Sequence, residues 1–445
     1  MADHVVRSAR GRLGRYWWLW LLLLVVGAVT NFGTAALRLP TLFPSPQAVD
    51  FGAYYAGGWA MRLGVSPFYW PGDFLASLAR EHGLVMVPTP PLSTPPYVWM
   101  SQVFTFFSFP VASWLWLLVG LSVMIASTRL LVGVAGLSGL RATLLVLPFA
   151  VTFGPVFLNL TTGQNGLVIL LAALLAGRYL ARAGGGACTV IAVWALAVAA
   201  KIYPVLWAAA LPFLRRWRLL ASLAIACASM FVLIAWRYPE ANRDYWYGYL
   251  VQRSQEVEQG VSPDDQSLQA RIALMGKTNT ICFSGMDPFT KYDKVWRSPW
   301  ELSLAAVRNL SFAAALALLT IVIVVWVRAD RVLNGEGLFY MIVALALLPI
   351  PHMERYNHVL LLPAMAWLWR RGGGYRWLTV IAYCLAGLSR LNHLWAILLS
   401  WPLGPLATGG CAYAAVIVGG GIAYAVTARR GRAGAVPGCA VGECC

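Results

Sequence analysis

The chain has 445 residues, 60% of them hydrophobic and 11% charged, with 34 Lys and Arg against 17 Asp and Glu for a formal net charge of +17. A soluble domain carries about 25% charged residues, so this balance excludes a soluble globular protein. It also excludes a nucleic-acid-binding surface, because the cations punctuate long apolar runs instead of clustering on a solvated face.

The composition predicts an all-α polytopic membrane protein, with residues 1–445 forming a single membrane domain. Arg7, Arg10, Arg12 and Arg15 precede an apolar run from Trp17 to Thr30 that lacks a small-residue cleavage site, which reads as an uncleaved first span. In chain order, hydropathy places spans at 16–37, 111–128, 142–158, 165–180, 188–200, 203–214, 217–236, 302–327, 337–350, 357–369, 377–395 and 402–427, about 12 in all. Two stretches are too polar and too rich in Gly and Pro to cross. They are a first loop at 38–96, extended to 110 by the apolar, interfacial segment 97–109, and a large loop at 237–301.

Charge orients this arrangement. Lys and Arg of short loops stay on the cytosolic side, and the N-terminal arm, Arg129 with Arg141, Arg178 with Arg182, Arg215–Arg218, Arg370–Arg376 and the 428–445 tail carry nearly all of the excess. Both large loops are close to neutral, with three basic and three acidic residues in 38–96 and eight basic and nine acidic in 237–301. Both termini are therefore expected in the cytosol and both large loops (38–110 and 237–301) outside. The eight cysteines show no disulfide framework, and the Cys439–Cys445 tail has no neighbouring His, so no metal is expected.

Chemistry-bearing residues gather at the outer ends of these spans. Asp50 opens Asp50-Phe51-Gly52-Ala53-Tyr54-Tyr55, where it reads equally as a helix N-cap. Tyr54 and Tyr55 offer aromatic faces to a sugar. Thr162-Gly163-Gln164-Asn165-Gly166 is either an ordinary turn or a pair of amides aimed at sugar hydroxyls. Lys201-Ile202-Tyr203-Pro204 separates two helices too short to cross alone, and a lysine at such a break calls for an anion. Pro351-His352-Met353-Glu354-Arg355-Tyr356-Asn357-His358 joins two spans outside; Arg355 suits a phosphate and His352 an anion or a proton, against a bland Glu354–Arg355 pairing. No GxGxxG, P-loop, HExxH or nucleophile elbow stands in a supporting context, so no cofactor is expected.

Asp50 with Tyr54-Tyr55, Gly64-Val65-Ser66-Pro67-Phe68-Tyr69, Pro95-Pro96, Gly163-Gln164-Asn165, Lys201-Ile202-Tyr203-Pro204, Gln266-Ser267-Leu268 with Arg271, and the His352–Pro363 junction occur in this order. In that order the chain resembles glycosyltransferase family 87 of the GT-C superfamily, which includes polyprenol-phosphate-mannose-dependent α-1,2-mannosyltransferases. The resemblance implies a GT-C-like fold and a multi-pass location in the inner (plasma) membrane with an extracytoplasmic active site. It implies that Asp50 is the catalytic base, with His352 or His358 near the donor phosphate. Lys201, Arg271 and Arg355 would then bind the phosphate, and Tyr54, Tyr55, Gln164, Asn165, Gln266 and Ser267 the sugar or acceptor. The expected partners are a polyprenyl-phosphate sugar donor, a glycolipid or glycan acceptor and membrane lipids, with no nucleic acid. The rival readings are a lipid or sugar transporter (flippase) and a glycan transferase using a lipid diphosphate.

Overall fold

A computed structural model describes residues 21–32, 50–69, 72–84, 90–91, 93–181, 186–251, 265–284, 291–329, 331–351, 353–388, 399 and 402–428. The basic N-terminal arm, the cysteine-bearing tail beyond 428 and His352 lie outside the described residues.

The described chain is predominantly helical. Four helices are long and apolar enough to cross a bilayer: Phe109–Val134, Trp217–Arg237, Leu304–Arg328 and Gly410–Thr427. The chain is thus a membrane protein built mainly of helices. The expected 142–158 span is instead two helices, Gly139–Thr152 and Gly154–Thr162, bent by 74° at Phe153. Pro155 in the first turn of the second helix explains the break, since a proline supplies no N–H to the turn before it. Other expected spans are shorter apolar helices, among them Gly166–Ala181 and Ala187–Ala200; both ends of the 16–37 span and the end of the 377–395 span lie outside the described residues.

Burial separates protein-facing from lipid-facing helices. The core is built from Gly166–Ala181, Ala187–Ala200, Arg331–Leu345, Leu361–Arg371 and Gly410–Thr427, whose side chains form one continuous cluster that includes the fully buried Trp194, Trp207 and Trp367. Small residues let these helices close up: a Cβ on Gly177 would collide with the Tyr340 ring. Leu304–Arg328 is the opposite case, with Leu310, Phe312, Leu316, Leu319 and Ile321 all exposed. An apolar surface on that scale needs hydrocarbon around it.

The two loops contain structure. The first carries the Asp50–Arg62 and Gly72–His82 helices, and the 97–109 segment is a short helix, Pro95–Met100, running into a 3-10 turn, Ser101–Phe106. Pro95, Pro96, Tyr97 and Val98 face inward while Val103 and Phe106 stand exposed. The second loop departs from the all-α expectation. After the Leu268–Gly276 helix, Asn279–Ser284 pairs antiparallel with Lys291–Trp296, Asn279 opposite Trp296. Thr280, Ile281, Phe283, Tyr292, Val295 and Trp296 are strand formers on either side of a Gly- and Pro-containing connection, so the hairpin signal was present in the sequence.

Candidate functional site

Four separate stretches of chain converge at one place. The first is the Thr162–Gly166 turn. Gly163 ends the preceding helix at φ +79°, a conformation that suits glycine, and its carbonyl accepts from Trp116 Nε1 at 2.8 Å. Gly166 is required for a different reason, since a Cβ there would strike the Asn159 side chain. The turn so fixed splits its two amides. Asn165 Nδ2 donates to Ser93 Oγ at 2.9 Å and to the Ala200 carbonyl at 3.2 Å. Gln164 instead accepts the Tyr54 hydroxyl at 2.8 Å and lies close enough to Asp50 to lower its pKa.

The second stretch is the end of the Ala187–Ala200 helix. A helix end leaves carbonyls unsatisfied; here Thr94 Oγ1 donates to Ala199 O at 2.5 Å and Asn165 to Ala200 O, so the helix stops and Lys201 follows in extended conformation. Lys201 is buried, and its Nζ lies 5.5 Å from the centroid of the Tyr356 ring. The chain then turns through Tyr203–Ala209, where Trp194 Nε1 holds the Pro204 carbonyl at 3.0 Å and the Tyr203 hydroxyl donates to Asn357 Oδ1 at 3.3 Å.

The third stretch, 353–360, is clamped from both sides. Asn159 Nδ2 donates to Tyr356 O at 2.7 Å. On the other side the large loop returns to pair Asp265 with Glu354: Asp265 Oδ1 accepts from Ser267 N at 2.9 Å and Met353 N at 3.0 Å, and Gln266 N donates to Met353 O at 2.7 Å. Arg355 opens the following 3-10 turn. His358 is fully buried in it, with Nδ1 3.3 Å from the Glu354 carbonyl.

The fourth stretch is the start of the Asp50–Arg62 helix. The Asp50 carboxylate lies near Thr162, Gln164, Lys201 and Glu354, all close enough to shift its titration. Burial pushes its pKa up to about 6 and the Glu354 charge adds to the rise, while Thr162, Gln164 and Lys201 pull it down. A buried carboxylate that titrates near neutrality, beside a buried cation, is poised to accept a proton.

Of the expected site residues, Asp50, Tyr54, Gln164 and Lys201 come together here. Others are engaged in holding the walls. The Tyr55 hydroxyl, on the next residue of the helix, donates to Phe107 O at 2.9 Å. Gln266 donates to Thr408 O at 3.0 Å and accepts from Ala412 N at 3.4 Å, binding the large loop to the last helix. Ser267 Oγ caps the Leu268–Gly276 helix, and Arg271 donates to Thr408 Oγ1 at 2.6 Å and to the Asp265 carbonyl. Sequence reasoning missed the role of Glu354, read only as a partner for Arg355, and of Thr162 and Tyr356; all three stand inside motifs singled out on other grounds. Among the described residues no group of three His, Cys, Asp or Glu side chains is placed to hold a metal.

Past Lys201 and Tyr203 in the chain, the surface turns apolar from Leu206 onward. A groove of about 420 Å³ runs between the Tyr203–Phe213 segment, the Leu304–Arg328 helix and the chain near Pro349, lined by Leu206, Phe213, Leu316, Trp326 and Leu345 among others.

The family model described as glycosyltransferase family 87 matches residues 92–351, more than half of the chain and two of the four converging stretches. No curated protein and no solved structure is a match.

Proposed function

Because the chain belongs to glycosyltransferase family 87 and is a membrane glycosyltransferase, we propose that it moves a hexose, mannose first among candidates, from a polyprenyl-phosphate donor to an acceptor hydroxyl on the extracytoplasmic face. The observation that carries this reading is the meeting of a proton-accepting carboxylate, Asp50, with a buried ammonium, Lys201, in a chain whose following Tyr203–Phe213 segment lines an apolar groove. A lipid phosphate needs the cation, and its hydrocarbon chain needs the groove.

In this mechanism the Asp50 carboxylate takes the proton from the acceptor hydroxyl as its oxygen attacks the anomeric carbon. The bond from that carbon to the phosphate oxygen breaks, and the polyprenyl phosphate leaves with the electron pair. Lys201, with Arg355, His352 and Arg271 as further candidates, stabilises the negative charge that develops. A single displacement inverts the anomeric configuration, in contrast to the two-carboxylate retaining route. Tyr54 and Gln164 orient the base. His358, buried beneath the junction, shapes the wall that carries Glu354 and Arg355. Membership in a transferase family favours bond formation over transport.

The test is Asp50→Asn in purified protein given polyprenyl-phosphate mannose and a panel of acceptors, with products read by mass spectrometry. Transfer should disappear while donor binding persists. Near-normal turnover in the variant would sink the assignment of Asp50.

A further inference from the structure

A second groove lies at the far end of the bundle from Asp50. The Phe109–Val134 helix starts beside the site helix, where Phe109 packs on Phe51 and Tyr55. The Gly166–Ala181 helix starts two residues after Gln164. Both run away from the site, so their last turns lie at the opposite face. There they leave a groove of about 600 Å³ lined by Ser122, Ile125 and Arg129 from one helix and Leu171, Leu175 and Arg178 from the other, with Ala126 and Leu130 completing it. These positions recur every three or four residues, so each set occupies one helix face.

Both cations line the same groove. Arg178 reaches across to Gly133, where a Cβ would lie 3.9 Å from its Nη1, and Gly133 sits one turn beyond Arg129 on the same face. No Asp or Glu lines the groove. The nearby Glu336 is bound at 2.6 Å by Arg370. Neither Arg129 nor Arg178 has a hydrogen-bond or ion-pair partner among the described residues. At 1.5 Å rise per residue, Arg129 lies about 7.5 Å and Arg178 about 4.5 Å from the ends of the Phe109–Val134 and Gly166–Ala181 helices, within their last two turns. A lone arginine near a helix end simply snorkels to water. Two forked cations over a trough of Ile125, Leu171 and Leu175 instead match a phosphodiester above acyl chains.

We propose that this groove binds an anionic diacyl phospholipid, with its phosphate between Arg129 and Arg178 and its acyl chains along Ile125, Leu171 and Leu175. The site is independent of the donor and of the reaction at Asp50.

The experiment compares full-length protein in nanodiscs of phosphatidylcholine alone and of phosphatidylcholine doped with phosphatidylglycerol, reading Tm and the lipid adducts that survive in native mass spectrometry. The wild type should retain phosphatidylglycerol and gain Tm. Arg129→Gln/Arg178→Gln should lose both effects, with retention weaker by about tenfold or more, and keep its Tm in phosphatidylcholine. The control Arg141→Gln/Arg218→Gln removes the same charge elsewhere and should behave as wild type. An equal loss in the control, or full retention by the groove variant, overturns the proposal. Inorganic phosphate reproducing the gain in phosphatidylcholine overturns the lipid as occupant. If the double variant does not fold, Arg129→Gln and Arg178→Gln alone carry the comparison, each expected to weaken retention about fivefold; unchanged retention in both also overturns the site.

Discussion

The Tyr54 hydroxyl donates to Gln164 Oε1 at 2.8 Å, joining positions 110 residues apart. With its oxygen occupied, the Gln164 amide has its N–H groups left for the neighbouring Asp50, whose pKa it lowers, so Tyr54 acts on the carboxylate through Gln164. The next residue in each motif does something else: Tyr55 anchors the Phe107 carbonyl and Asn165 closes the Ala187–Ala200 helix. This division gives a direct comparison. Gln164→Ala removes a donor that lowers the Asp50 pKa, so the acid limb of kcat/KM should move to higher pH. Asn165→Ala should leave that limb in place and cost about 1–3 kcal/mol of stability, because the Ala200 carbonyl loses its partner. Both variants are read by a pH–rate profile and a thermal melt.

The acid limb itself follows from Asp50. As the proposed base, Asp50 works as a carboxylate, so kcat/KM of the wild type should fall as pH drops through about 6. Glu354→Gln removes a like charge that raises this pKa, and the limb should move to lower pH. Stability has the matching sign. A carboxyl whose pKa is raised from 3.8 to about 6 on folding contributes most stability below about 4 and loses it as pH rises through about 6. Asp50→Asn should therefore raise Tm at pH 7 and lose that advantage at pH 4.

Lys201 tests the cation. Lys201→Gln keeps a polar side chain one atom shorter and removes its charge, so the KM for a polyprenyl-phosphate donor should rise about 10- to 100-fold, the weight of a hydrogen bond to a charged group. An unchanged KM, measured with a soluble short-chain donor to separate headgroup from hydrocarbon, contradicts a phosphate contact.

Asp265 tests the clamp. One oxygen, Oδ1, accepts from both Ser267 N and Met353 N, and an asparagine keeps that oxygen. Asp265→Asn should therefore retain the wild-type pH profile. Asp265→Ala releases the segment bearing Glu354 and should shift the acid limb in the same direction as Glu354→Gln, with a lower Tm.

Much of the site was legible because each motif breaks a local rule. Lys201 stands between apolar helices and Asp50 begins an otherwise apolar, small-residue helix, so each stood out without knowledge of the other. What stayed hidden was which of two neighbours faces inward. Consecutive helical residues point about 100° apart, and only the position of Gln164 distinguishes Tyr54 from Tyr55. Glu354 was read against its neighbour Arg355, whereas its backbone pairs with Asp265, far away in sequence. The strand formers of the 279–296 hairpin stand in a charged, polar loop, and only the pairing of Asn279 with Trp296 makes them a hairpin.

The sequence by itself determined that this is a helical membrane protein of glycosyltransferase family 87, because hydropathy and motif order are properties of the chain taken in line. The +17 charge is distributed rather than concentrated, and none of it had to be placed in three dimensions to exclude a soluble fold. Only the tertiary structure decided that Asp50, Gln164, Lys201 and Glu354 share one site while Asn165, Gln266 and Ser267 hold its walls. Burial and hydrogen-bond partners come from segments far apart in sequence, and those alone set whether a polar side chain faces a substrate or completes a helix end.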